Sequence, residues 1–129
     1  MNKLAKVWHI ALLTVTLLFA ANPVFADDKD PKAAWELIKQ GAMVVDVRTP
    51  EEFAEGHIEG AINIPFEQIN SEFAALGISK DTKVVLYCRS GRRSGIANDA
   101  LIAAGYNHTY NGGGYQALIS TGKQAVKTN

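Results

Sequence analysis

Two short stretches with almost no polar residue, Ala42-Met43-Val44-Val45-Asp46-Val47 and Val84-Val85-Leu86-Tyr87, restrict the fold of this chain more than any other feature. Runs of this length suit strands covered on both faces, because a strand with one wet face would alternate polar and apolar side chains. Helical patterns separate them. Asp30 is placed to cap a helix with Pro31 at its first position, Ala34, Leu37 and Ile38 share one face of it, and Gly41 ends it. Thr49-Pro50-Glu51-Glu52 has the spacing of a capping box, so a short helix starts there. Ile62-Asn63-Ile64 reads as a further strand closed by Pro65, residues 66–75 as a helix, and residues 96–104 as a helix stopped by Gly105. Residues 106–110 read as the last strand. Gly112-Gly113-Gly114 then reads as the turn into a final helix at 115–120, and the polar tail at 121–129 as a mobile end. The alternation predicts an α/β domain with a parallel central sheet, helices on both faces, and the two apolar runs as interior strands.

Before that domain lie 26 residues of another character. Lys3 and Lys6 make a positive start, residues 10–21 are mostly apolar, and Val24-Phe25-Ala26 puts small or apolar side chains at the −3 and −1 positions of a cleavage site. A spanning helix needs ~20 apolar residues. Here Trp8, His9, Thr14, Thr16 and Asn22 interrupt a shorter run. The pattern predicts a secretory signal peptide at 1–26, a single domain at 27–129 with its core at 31–120, and a periplasmic location without membrane contact after cleavage. No cysteine follows the cleavage site, which excludes lipid attachment there. What remains carries eleven basic against thirteen acidic side chains, a balance that gives nucleic acid no field to follow. Such a domain is expected to be a monomer. Cys88 is the chain's single cysteine, so it has no partner for an internal disulfide.

That cysteine ends the second apolar run, and the chain continues Arg89-Ser90-Gly91-Arg92-Arg93-Ser94 into a helix. Ligands of open α/β sheets bind beyond the carboxyl ends of strands. A loop from strand to helix can curl its N–H groups inward and form an anion cradle on the helix N-terminus. A cysteine at the floor of such a cradle, with three arginines close by, is expected to ionise below the ordinary thiol pKa of ~8.5. Gly91 frees the loop backbone and Gly95 eases entry to the helix. The plainer alternative is a small apolar side chain at a strand end followed by solvated arginines. The density of arginine and glycine at this position favours the reactive thiolate.

Cys88-Arg89-Ser90-Gly91-Arg92-Arg93 resembles the six-residue active-site loop of rhodaneses, in the Cys-Arg-x-Gly-x-Arg/Thr form of thiosulfate sulfurtransferases. Val45-Asp46-Val47-Arg48 with Glu51-Glu52-Phe53, and the segment Gly56-His57-Ile58-Glu59-Gly60-Ala61-Ile62-Asn63-Ile64-Pro65, are similar to two further blocks of that family. Gly112-Gly113-Gly114-Tyr115 resembles its late glycine pair before an aromatic, with tyrosine where tryptophan is commoner. The resemblance spans residues 42–118. It implies a rhodanese-like fold and a two-step transfer: Cys88 takes sulfur from thiosulfate as a persulfide, and a thiophilic acceptor such as cyanide or a thiol removes it. The loop residues Arg89, Ser90, Gly91, Arg92, Arg93 and Ser94 would bind the anionic donor, with Arg93 either doing so or bracing the loop. Asp46 and Arg48 would support the site, Asp46 by orienting the loop or by pairing with Arg48 as scaffold.

No metal or organic cofactor is implied. Two histidines and one cysteine at these spacings do not make a zinc site. The resemblance makes His57 a turn residue rather than a base. His108 has no evident role, and Trp35 reads as packing. Two rivals stand beside this reading: a non-catalytic rhodanese-like carrier or binding module, and a cysteine phosphatase or arsenate reductase. Those phosphatases place arginine six positions after the cysteine, where this chain has Ser94.

Overall fold

The computed structural model describes residues 28–126. The predicted leader at 1–26 lies outside them. Asp30 caps helix α1 (Pro31–Lys39) by accepting from the Lys32 N–H, and Pro31 opens it. Strand β1 (Met43–Asp46) follows, then α2 (Pro50–Glu55) behind the complete capping box of Thr49 and Glu52. Strand β2 (Ile62–Asn63) is short. The predicted helix at 66–75 is a 3-10 turn, Phe66–Gln68, running into α3 (Ile69–Ala75). Strand β3 (Val84–Cys88) leads through the arginine loop to α4 (Arg92–Ala103), and β4 (Thr109–Gly114) leads to α5 (Tyr115–Val126).

All four strands are parallel, in the order β2-β1-β3-β4, so the two apolar runs are the interior strands as their composition requires. Alternate side chains of β1 and β3 feed two cores. Val45, Val84, Leu86 and Cys88 pack with Phe73, Ala97 and Leu101 beneath α3 and α4. Val44, Val85 and Tyr87 pack on the other face with Ala34 and Leu118 of α1 and α5. This is a single α/β domain with helices on both faces.

Three boundaries differ from the sequence reading, each for a physical reason. Helix α4 starts at Arg92, four residues before the predicted 96, because Gly91 at φ +99° turns the chain directly into it. Gly95 therefore lies inside the first turn of α4 rather than at its entry. The last strand runs over Thr109–Gly114 rather than the expected 106–110, so the glycine triplet belongs to β4 and is not a turn. The backbone there runs so close to β3 that a Cβ on Gly112 would meet Val85 Cγ1 at 2.9 Å and the Leu86 carbonyl at 3.2 Å. Gly112 is the extra residue of a bulge, since Leu86 pairs with Asn111 and Tyr87 with Gly113. Finally, α5 continues to Val126, so the first part of the predicted mobile tail is helical. Gly122 on α5 faces the Trp35 ring of α1, and Trp35 Nε1 donates to the Leu118 carbonyl at 2.8 Å.

Candidate active site

Strand β3 carries Cys88 to its carboxyl end, where β1 and β4 flank it and the side chain has no exposed surface. The chain then reverses over the sulfur within three residues. The Gly91 N–H donates to Cys88 Sγ at 3.0 Å, a turn that needs the positive φ of Gly91. Room is also short: a Cβ on Gly91 would lie 3.1 Å from the Lys29 side chain and 3.3 Å from Gly113 Cα. Ser94, on the first turn of α4, is buried with Oγ 3.5 Å from the sulfur. Burial pushes the Cys88 thiol up, but the Ser94 hydroxyl and the N–H groups of Ser94, Ser90 and Gly91 more than offset it, and the thiol sits below its ordinary value. Donors around a thiol at a helix N-terminus favour its ionised form.

The loop arginines separate into two kinds. Arg89 and Arg92 are exposed. Arg93 is held by Glu52 of α2, with Nη1–Oε1 at 2.8 Å and Nη2–Oε2 at 3.1 Å. The hydrogen bonds from Arg93 hold the Glu52 carboxyl down to about 2, against an ordinary value of 4.5. The forked pair ties the first turn of α4 to α2.

Asp46 and Arg48 form a buried forked pair, Nη2–Oδ2 2.6 Å and Nε–Oδ1 3.0 Å. The guanidinium also donates to the Gly56 carbonyl at 2.7 Å and lies 4.4 Å from the centre of the Tyr115 ring. Asp46 is thus engaged by Arg48, and Arg48 joins the end of β1, the turn after α2 and the start of α5. Arg48, Gly56 and Tyr115 also wall a cleft of about 360 Å³, together with Glu52, Arg89 and Gln116. His57 is stacked on Phe53 at 3.6 Å with Nδ1 2.9 Å from the Phe53 carbonyl, so it is a turn residue.

Sequence reasoning missed two contributors. Glu52 was read as half of a capping box, and it also holds Arg93. Asn111 of β4 was assigned nothing. It is 1 % exposed, and its carboxamide donates to the Gly91 carbonyl at 3.1 Å while accepting from Ser94 Oγ at 2.7 Å and the Gly113 N–H at 3.0 Å. The one signal available was a polar side chain just before three glycines.

The geometry can be set beside known proteins. The family model described as "Rhodanese-like domain" matches residues 30–121. Thiosulfate sulfurtransferase PspE of Escherichia coli (strain K12) is 37% identical over 107 residues, which cover 83% of this chain and 88% of PspE. A putative mitochondrial thiosulfate sulfurtransferase of Schizosaccharomyces pombe is 40% identical over 83 residues, 56% of this chain and 58% of that protein. Of solved structures, "rhodanese with anions from E. coli" superposes with a TM-score of 0.56 at 38% identity, covering 59% of this chain and 89% of its own. The human single-domain sulfurtransferase TSTD1 has a TM-score of 0.58 at 29% identity, covering 70% and 91%. With the family model matched across the whole folded body and PspE across most of its length, the chain belongs to the rhodanese-like domain family, whose named relatives here are sulfurtransferases.

Proposed function

We propose that this chain is a thiosulfate sulfurtransferase in which Cys88 carries the sulfur. The Cys88 thiolate attacks the outer sulfur of thiosulfate, the S–S bond of the donor breaks, and sulfite leaves with the bonding pair. A persulfide anion remains on Cys88. Cyanide or a thiolate then attacks its outer sulfur and returns Cys88 as thiolate, so charge balances in both steps. The observation that carries this reading is the Gly91 N–H set 3.0 Å from Cys88 Sγ beside the Ser94 hydroxyl, because the same donors serve a thiolate and a persulfide anion. Cys88 is fully covered, so a donor must part the loop side chains to reach it. The exposed Arg89 and Arg92 would draw the dianion in.

We infer further that residues 1–26 direct export and are removed, leaving a periplasmic domain that starts at Asp27. Among the described residues no helix is long and apolar enough to cross a membrane. The donor is tested in parallel assays that follow sulfite release from thiosulfate, pyruvate release from 3-mercaptopyruvate and phenol release from an aryl phosphate, with cyanide as acceptor for the two sulfur donors. Thiosulfate should be the fastest of the three. Faster turnover of the phosphate ester would replace this reading with a phosphatase.

A further inference from the structure

Asn111 offers four hydrogen-bonding positions and three are engaged, two on Gly91 and Ser94 of the sulfur loop and one on Gly113 of its own strand. The Gly113 N–H is an obligate donor and the Gly91 carbonyl an obligate acceptor, so the carboxamide has one orientation that satisfies both. In that orientation its Oδ1 is an acceptor 2.7 Å from Ser94 Oγ, so it competes with the Cys88 sulfur, 3.5 Å from the same oxygen, for the one hydroxyl proton. Its Nδ2 grips the carbonyl of Gly91, the residue whose own N–H meets the sulfur at 3.0 Å. Backbone packing closes the arrangement. The Asn111 carbonyl accepts from the Lys29 N–H at 2.7 Å, and a Cβ on Gly95 would lie 3.2 Å from Asn111 Nδ2. The bulge at Gly112 comes immediately after Asn111 in β4. A buried polar side chain is costly unless it is paired, and here two of its three partners, Gly91 and Ser94, are residues that also reach the sulfur.

We propose that Asn111 is a positioning residue of the sulfur site, whose carboxamide holds the Gly91 carbonyl and so keeps the Gly91 N–H set against Cys88. The proposal rests on Cys88 being the nucleophile. The hydrogen bonds of the Asn111 side chain go to Gly91, Ser94 and Gly113 and not to the sulfur, so it acts through Gly91. Its loss should impair ionisation and the chemical step while leaving donor binding alone. The charged groups that bear on the sulfur, Arg93 with Glu52 behind it, come from α4 and α2 and are unchanged by substitutions at Asn111.

The test uses Asn111→Leu, Asn111→Asp and Ser94→Ala in the full chain, each checked for folding by thermal unfolding. Two quantities are measured: the pH midpoint of Cys88 alkylation by iodoacetamide, and sulfite release from thiosulfate. In the Ser94→Ala background, where no hydroxyl proton is freed, Asn111→Leu should raise the midpoint by about one pH unit, since the residue that gives its N–H to the thiolate loses its anchor. Sulfite release near neutral pH should fall about tenfold, with KM within about twofold of the parent. With Ser94 present the shift from Asn111→Leu should be smaller, because the hydroxyl proton it frees can turn to the thiolate. Asn111→Asp keeps the two accepted hydrogen bonds but turns the donation to Gly91 into repulsion, so it should raise the midpoint too and serves if the leucine variant does not fold. A folded Asn111→Asp chain with the wild-type midpoint and rate, or a folded Ser94→Ala, Asn111→Leu chain that matches Ser94→Ala in both, overturns the proposal. A wild type that alkylates at low pH yet releases no sulfite would remove the thiosulfate reading, while the alkylation arm still judges Asn111.

Discussion

At the residue scale the chemistry turns on a contest at Cys88. Full burial disfavours the thiolate, and an apolar pocket alone would leave an inert thiol; the Ser94 hydroxyl and three loop amides reverse that outcome. The sign follows directly. A donor removed returns the thiol toward its ordinary value, so Ser94→Ala should move the alkylation midpoint up. Activity should then be lost in the pH window between the two midpoints and recovered above both. A Ser94→Ala midpoint at or below that of wild type would refute the balance described. Arg89, exposed on the cleft wall, belongs to a different step. Arg89→Ala should raise KM for thiosulfate several-fold with little change in stability, in line with removal of a surface charge that contributes ~0–1 kcal/mol to folding. The sequence makes Cys88 to Ser94 legible because the loop residues are contiguous and their chemistry is of one kind. Asn111 was not legible, since its partners lie 17 and 20 residues away and meet it only through the β3–β4 pairing.

Among the elements, α2 and α4 are tied by a single carboxylate that also caps α2. Glu52 accepts from Thr49 N and Oγ1 at 3.1 Å each and takes both arms of the Arg93 fork. Its pKa in the fold is about 2, below the ordinary 4.5, so the stability it supplies is fully present above pH 4.5 and lost as pH falls toward 2. Glu52→Gln should therefore lower Tm at neutral pH and show a flatter acid limb over that window. Parallel Tm curves for the two proteins across it would show that the pair contributes nothing. The capping box itself was visible in Thr49-Pro50-Glu51-Glu52, while the second role of Glu52 needs a helix 41 residues away. The second half of β4, beyond the strand expected at 106–110, was hidden for a related reason: glycines carry no apolar signal, and only the close approach to Val85 and Leu86 explains why they stand in a strand.

For the whole molecule, two cores on opposite faces of one sheet hold the cradle from above and below. The fold class was readable because β1 and β3 are apolar on both faces, a pattern that few architectures other than a covered parallel sheet require. The far end of α5 was not readable, because residues 121–126 are mostly polar and their helix is secured by contact with α1. Gly122→Ala tests that contact. Alanine favours a helix by ~1 kcal/mol over glycine, but its Cβ would fall 2.5 Å from the Trp35 ring, so the displaced ring should lower Tm all the same. The Cys88 alkylation midpoint should not move, since the two sites share no hydrogen bond. A raised Tm would mean that α5 is held differently. The central claim is that Cys88 holds sulfur between donor and acceptor, and intact-mass measurement reads it most directly. With no second cysteine in the chain to discharge it, the persulfide should persist until an acceptor is supplied. Thiosulfate alone should add the mass of one sulfur atom per chain, cyanide should remove it with release of thiocyanate, and folded Cys88→Ser should show neither step. A wild-type chain that never gains that mass, or a Cys88→Ser chain that does, would contradict the account.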